Sequence, residues 1–168
     1  MKYIYIILLS LIFNQVHFTD IPDNTGVNHL VIIENVLGLE VGDEIGLFDT
    51  NGLINSGNCY SEYGELLVGA GIYTGEQLEI VGVGSLDACD FQGGYQLAGW
   101  IEDNPIAIKV WDASQDHEYE VSPEFENDNS LWGDNFGFSI VSELVVNELS
   151  VNQINNFSLF SAYPNPFN

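Results

Sequence analysis

The chain has 168 residues, of which 46% are hydrophobic, and it carries 25 Asp and Glu against two basic residues, for a formal net charge of −23. That apolar content excludes a disordered chain, and the near absence of cations excludes nucleic-acid binding, since nothing would neutralise phosphates. Docking on anionic membrane surfaces is disfavoured for the same reason.

Met1-Lys2 forms a short positive start, and Tyr3 to Phe13 is apolar except for Ser10. This pattern is that of an export signal peptide, assigned to residues 1–19. The apolar run is shorter than the roughly 20 residues a spanning helix needs, so no stable transmembrane span is expected. No small-x-small tripeptide marks the cut, which is placed only between Asn14 and Asp20. Removing this leader would leave Lys109 as the single basic side chain. So acidic a chain stays soluble in a salty medium, where screening removes much of the self-repulsion.

The pattern from residue 20 to residue 146 is all-β. Successive strands are expected at His29–Glu34, Asp43–Asp49, Glu65–Thr74, Gln77–Val83, Pro105–Trp111, His117–Val121 and Phe136–Val141, with a short one at Leu144–Val146. Val41-Gly42 and Thr74-Gly75-Glu76 are turn signals between them. Pro105–Trp111 alternates most cleanly, with Ile106, Ile108 and Val110 on one face and Ala107, Lys109 and Trp111 on the other. Seventeen glycines argue against helices. The expected architecture is a single antiparallel β-sandwich of about seven or eight strands. A polar linker over residues 147–158 follows it.

Cys59 and Cys89 are the only cysteines, and in an exported chain an even count points to a disulfide. Its loop would add roughly 3 kcal/mol by the chain-entropy model.

Catalytic patterns are weak. There is no Gly-x-Ser-x-Gly, and beyond the leader only His29 and His117 remain. Gly69-Ala-Gly-Ile-Tyr-Thr-Gly75 lacks the lysine and helix of a phosphate loop. A non-enzymatic role is expected. Oxygen-rich loops make calcium the one metal to consider. Asp49 and Asn51 share an Asp-x-Asn-Gly turn, and Asp87 and Asp90 flank Cys89. A Cys59–Cys89 bridge would draw the two loops toward one cage. The same Asp-x-Asn-Gly string is also good turn chemistry with no ion. Aromatic residues offer a ligand platform, since stacking needs exposed rings with a polar rim. Trp132, in a loop-like context, and Tyr63 are the leading ring candidates, beside Trp100, Trp111, Tyr60, Tyr73 and Tyr95.

Two resemblances add expectations. Tyr163, Pro164, Asn165, Pro166, Phe167 and Asn168, preceded by Leu159-Phe-Ser-Ala, resemble the opening of the type IX secretion C-terminal sorting domain. The resemblance implies export across an outer membrane, engagement of the type IX machinery, and a cell-surface or secreted location. It also implies a sorting domain that begins at residue 159 and continues past Asn168. Val41-Gly-Asp-Glu-Ile-Gly-Leu-Phe-Asp49, Leu67-Val-Gly-Ala-Gly71 and Ile108-Lys-Val-Trp-Asp112 resemble, in the same order, a β-rich extracellular module found beside such sorting domains. That module has no assigned activity. The combined expectation is an exported binding or adhesive module for a glycan or surface, assisted by calcium. A structural spacer and an accessory domain of a secreted hydrolase are the alternatives.

Overall fold

A computed structural model describes residues 15–134 and 136–146. The leader core, the linker and the sorting motif at Tyr163 to Asn168 lie outside the described residues.

Among the described residues the chain is all-β, with no α-helix. The strands are β1 (Asn28–Ile33), β2 (Val36–Leu37), β3 (Glu44–Leu53), β4 (Tyr63–Ile72), β5 (Leu78–Val83), β6 (Leu86–Asp87), β7 (Gln96–Leu97), β8 (Ile106–Asp112), β9 (His117–Val121), β10 (Glu124–Phe125) and β11 (Phe138–Val145). A single 3-10 turn, Glu126–Asp128, follows β10. One sheet runs β10-β11-β1-β5, with β2 added beside β11. A second runs β4-β3-β8-β9, and β6 and β7 form a separate ribbon. The single antiparallel sandwich is therefore corrected in two respects. There are three sheets, and β11 pairs in parallel with both β1 and β2.

The two larger sheets contribute to one core. Val31 and Ile33 of β1, Ile80 of β5 and Val141 and Leu144 of β11 join Ile45, Leu47, Val68, Ile106, Ile108 and Val110 of the second sheet. The alternation in β8 decides this. Its even-numbered apolar residues enter the core, and its odd-numbered residues face outward. Gly42 and Gly75 adopt φ of 109° and 92° at the predicted turns, a conformation that L side chains rarely take. The Asp-x-Asn-Gly turn does not end its strand. It becomes a bulge inside β3, because Asp49 to Gly52 spans one residue more than the facing Leu66 to Gly64.

The outer face of the second sheet is also covered. Residues 15–22 cross it as a strap, and Phe18 packs on Phe48 and Leu67 beside Ile21, Ala70, Ala107 and Trp111. His17 stacks on Trp111, with centroids 3.8 Å apart and planes 7° from parallel. Trp111, one of the candidate ligand rings, thus sits on the outer face beneath the strap. Phe18 is only 3% exposed, so the folded body begins before residue 20.

Lys109 extends over Phe48, 4.6 Å from its centroid, and reaches Glu65 at 2.7 Å and Glu118 at 3.5 Å. Burial works against its charge, but the hydrogen bond and charge of Glu65, with the charge of Glu118, outweigh it and hold the ammonium above its usual range.

Leu47→Ala empties a fully buried site and is expected to cost about 2–5 kcal/mol. Leu37→Ala, at a half-exposed position, is expected to stay within about 0.5 kcal/mol. Urea unfolding of the two variants measures the difference.

Candidate functional site

The structure separates the predicted site residues into two environments, one sealed and one exposed.

The sealed environment holds Trp132. The loop before β11 is drawn inward, because Trp132 N donates to Asn104 O at 2.9 Å and Asp103 N donates to Trp132 O at 3.0 Å. The indole is 0% exposed and stacks on Trp100 with centroids 5.6 Å apart. Gly82 makes this possible, since a Cβ there would lie 2.6 Å from the Trp132 ring. The expected exposed platform at Trp132 is therefore corrected: its ring is core and faces no ligand. Its Nε1 has no hydrogen-bond partner among the described residues.

His29 is buried against both indoles, edge-on at 5.3 Å to Trp132 and 6.1 Å to Trp100. Its Nε2 lies 2.9 Å from Ser139 Oγ, a pair that sequence reading did not suggest because 110 residues separate the two. The pairing is not that of a nucleophile and its base. Gly133 N donates to Nδ1 at 3.1 Å, so Nδ1 carries the lone pair and Nε2 carries the proton. Nε2 then donates to Ser139 and cannot accept from it. Desolvation lowers the His29 pKa to about 4, against an upward pull from Asp134.

Asp49 is sealed as well. Asn51 N donates to its Oδ1 at 2.8 Å, Ile101 N to its Oδ2 at 2.8 Å, and Asn104 Nδ2 to both oxygens at 2.9 and 3.0 Å. A carboxylate so saturated with N–H donors ties the β3 bulge to the segment leading into β8. Asn51, Asp87 and Asp90 are exposed, and Asp87 Oδ1 accepts from Cys89 N at 2.9 Å. Among the described residues no group of three or more His, Cys, Asp or Glu is arranged to hold a metal ion. Calcium ligation by Asp49 would have to compete with the hydrogen bonds that both of its oxygens already accept.

The exposed environment lies where Cys59 and Cys89, 30 positions apart in the chain, are joined with Cα atoms 5.8 Å apart, as the cysteine count predicted. The bridge ties the loop after β3 to the loop between β6 and β7. A buried amide network braces the same place. Gln96, 1% exposed, donates from Nε2 to Asn55 Oδ1 at 3.0 Å and to Tyr60 O at 3.1 Å, while Ser61 Oγ donates to Gln96 Oε1 at 3.1 Å. Ser56 Oγ accepts from Ala98 N at 2.8 Å. Gly94 allows the close approach of the second loop, where a Cβ would lie 1.9 Å from Ala88 O.

This braced pair of loops carries three exposed rings, Tyr60 at 79%, Phe91 at 75% and Tyr95 at 46%, and Tyr63, 54% exposed, opens β4 where the first loop ends. Tyr63 is exposed, as a ligand platform would require, and so are Tyr60 and Tyr95. Phe91 was missed because a lone Phe between Asp90 and Gln92 shows no periodicity. A groove of about 240 Å³, which none of these rings lines, is bounded by Ile21, Pro22, Ile54, Leu66 and Leu97, with Asp20 and Asp23. It falls below the roughly 300–1,000 Å³ of enclosing ligand pockets, so it suits one ring laid on a surface. A larger groove, about 510 Å³, includes Trp100, Asp87, Glu102 and the fully exposed Phe136 among its residues.

No family model, curated protein or solved structure matches the chain. No helix among the described residues is long and apolar enough to cross a membrane.

Two outcomes follow from this geometry. Because the His29 pKa is depressed from 6.5 to about 4, the unfolded chain binds the proton first as pH falls. Its contribution to stability is complete above pH 6.5 and declines toward pH 4, by about 3 kcal/mol. The difference between wild type and His29→Gln in pH-dependent urea unfolding isolates this contribution from the carboxylates. Opening the disulfide in Cys59→Ser/Cys89→Ser is expected to cost roughly 3 kcal/mol. It should also raise amide hydrogen exchange in both loops while leaving β1 and β8 protected.

Proposed function

We propose that the chain is a non-catalytic ligand-binding module, exported by the type IX route to the cell surface or medium, that lays a neutral glycan on Tyr60, Tyr63, Phe91 and Tyr95. The observation that carries this reading is the exposure of four rings, three on loops clamped by the disulfide and the Gln96 network and Tyr63 at the start of β4. Loops already tied in place lose little backbone freedom on binding, which favours affinity from a small contact area. A sugar ring presents C–H groups that suit an aromatic face.

Charge narrows the ligand class. Lys109 is the single Lys or Arg among the described residues, and Glu65 and Glu118 already occupy it. A sulfated or uronic polymer would meet a strongly negative surface with no cation to receive it. Neutral polysaccharides are the ligand this surface favours. Its reliance on rings, with Asp49 saturated by N–H donors, points to binding that does not need calcium. The wrong tautomer for general-base activation of Ser139 and the sealed setting of His29 support the absence of hydrolytic chemistry. The leader pattern at residues 1–19 and the motif from Tyr163 to Asn168 are what support export.

The full chain titrated against neutral and anionic polysaccharides, in calcium and again in EDTA, tests the reading. Saturable binding to neutral polymers that survives EDTA is expected. Tyr60→Ala and Tyr95→Ala should each weaken it about tenfold, or about 1.4 kcal/mol. Binding abolished by EDTA would restore Asp87 and Asp90 as ion ligands. Binding to no polymer would make the module a structural spacer.

A further inference from the structure

The strap on the outer face of the second sheet ends in a contact that the binding surface does not need. Glu44, the first residue of β3, is 1% exposed. Its Oε1 accepts from Val16 N at 2.6 Å and His17 N at 3.1 Å, and its Oε2 accepts from His17 N at 3.1 Å and Phe18 N at 2.9 Å. Among the described residues no lysine or arginine compensates this carboxylate, since Lys109 is spent on Glu65 and Glu118. A buried carboxylate needs donors, and three consecutive backbone N–H groups of the strap are its donors. Downstream of this contact the Phe18 ring is sealed against Phe48 and Leu67. Gly46 leaves room for it, since a Cβ there would lie 3.1 Å from Phe18 Cδ1. His17 adds the stack on Trp111 and a 3.0 Å contact from Nε2 to Glu118.

We propose that export processing cuts the chain no later than the Gln15–Val16 bond, and that Glu44 is the seat of the amino-terminal strap this cut leaves. The inference rests on the leader reading of Met1 to Phe13 and narrows the broad window that sequence alone allows. The step is peptide hydrolysis by a leader peptidase. Water adds across the bond, the leader departs with the carboxylate, and the module keeps the amine. A cut after Gln15 places the new α-ammonium of Val16 on Glu44 Oε1, where an amide N–H lies at 2.6 Å. The contact then becomes a charged pair. A cut one residue earlier also keeps the Gln15 Nε2 hydrogen bond to the Phe18 carbonyl. A cut after Phe18 removes every strap donor from Glu44 and uncovers the apolar patch around Phe48.

The full chain, exported from a gram-negative host under its own leader, is read for its first residue by amino-terminal sequencing and intact mass. A start at or before Val16 is expected. A start at His17 or later overturns the proposal. An uncut chain in the exported fraction overturns the leader reading instead. The seating role is read separately in Glu44→Gln and in Phe18→Leu, a milder change. Each should lower Tm by about 5 °C or more and expose the strap to limited proteolysis. A Glu44→Gln protein with unchanged Tm and an intact strap would remove Glu44 as the seat, whatever the cut.

Discussion

β3 is covered on both faces, and much of the structure is arranged around that constraint. Ile45 and Leu47 face the main core, while Gly46 and Phe48 lie beneath the strap. Strands covered on both faces usually read as unbroken apolar runs. This one begins with Glu44 and carries Asp49, both sealed from water. Each carboxylate therefore has to be met by N–H donors brought from elsewhere. Glu44 takes the backbone of Val16, His17 and Phe18, and Asp49 takes Asn51, Ile101 and Asn104. The two acids act as anchors, one for the chain before β1 and one for the chain entering β8.

Those anchors place the rest. Asp49 holds the segment from Ile101 to Asn104, whose carbonyl and amide groups in turn hold Trp132 inside. Trp132 then stacks on Trp100, and both rest against His29. On the other side of the bulge, β3 leads through Ile54 into the Cys59 loop, where the disulfide and Gln96 hold the exposed rings. The acid that resembled a calcium ligand is thus a structural keystone, and the ring that resembled a platform is core. The proposed binding surface falls to smaller rings at the braced loops.

Surface acidity and anchoring acidity have different physical roles. Most carboxylates among the described residues are exposed to water, where salt screens them. A few are held by hydrogen bonds that favour their charged form. Ser114 and Gln115 hold Asp112 below its usual range despite some burial. Against the same opposing burial, the hydrogen bond from His17 and the charge of Lys109 do so for Glu118.

What the sequence determined by itself was local. Alternation along Ile106 to Val110 identified a strand and its buried face, because side chains in a strand alternate with period two whatever lies opposite. Gly42 and Gly75 marked turns because few other residues accept positive φ. The cysteine count gave the bridge because the set allowed one intramolecular pairing. What the tertiary structure alone decided was which groups meet water. Asp49 and Asp87 are alike in sequence, yet one is sealed by donors from the distant Ile101 and Asn104 and the other is exposed. Phe18 reads as the end of a leader until β3, β4 and β8 assemble the patch that receives it. Burial sums contributions from segments far apart in the chain, and no periodicity within one segment carries that sum.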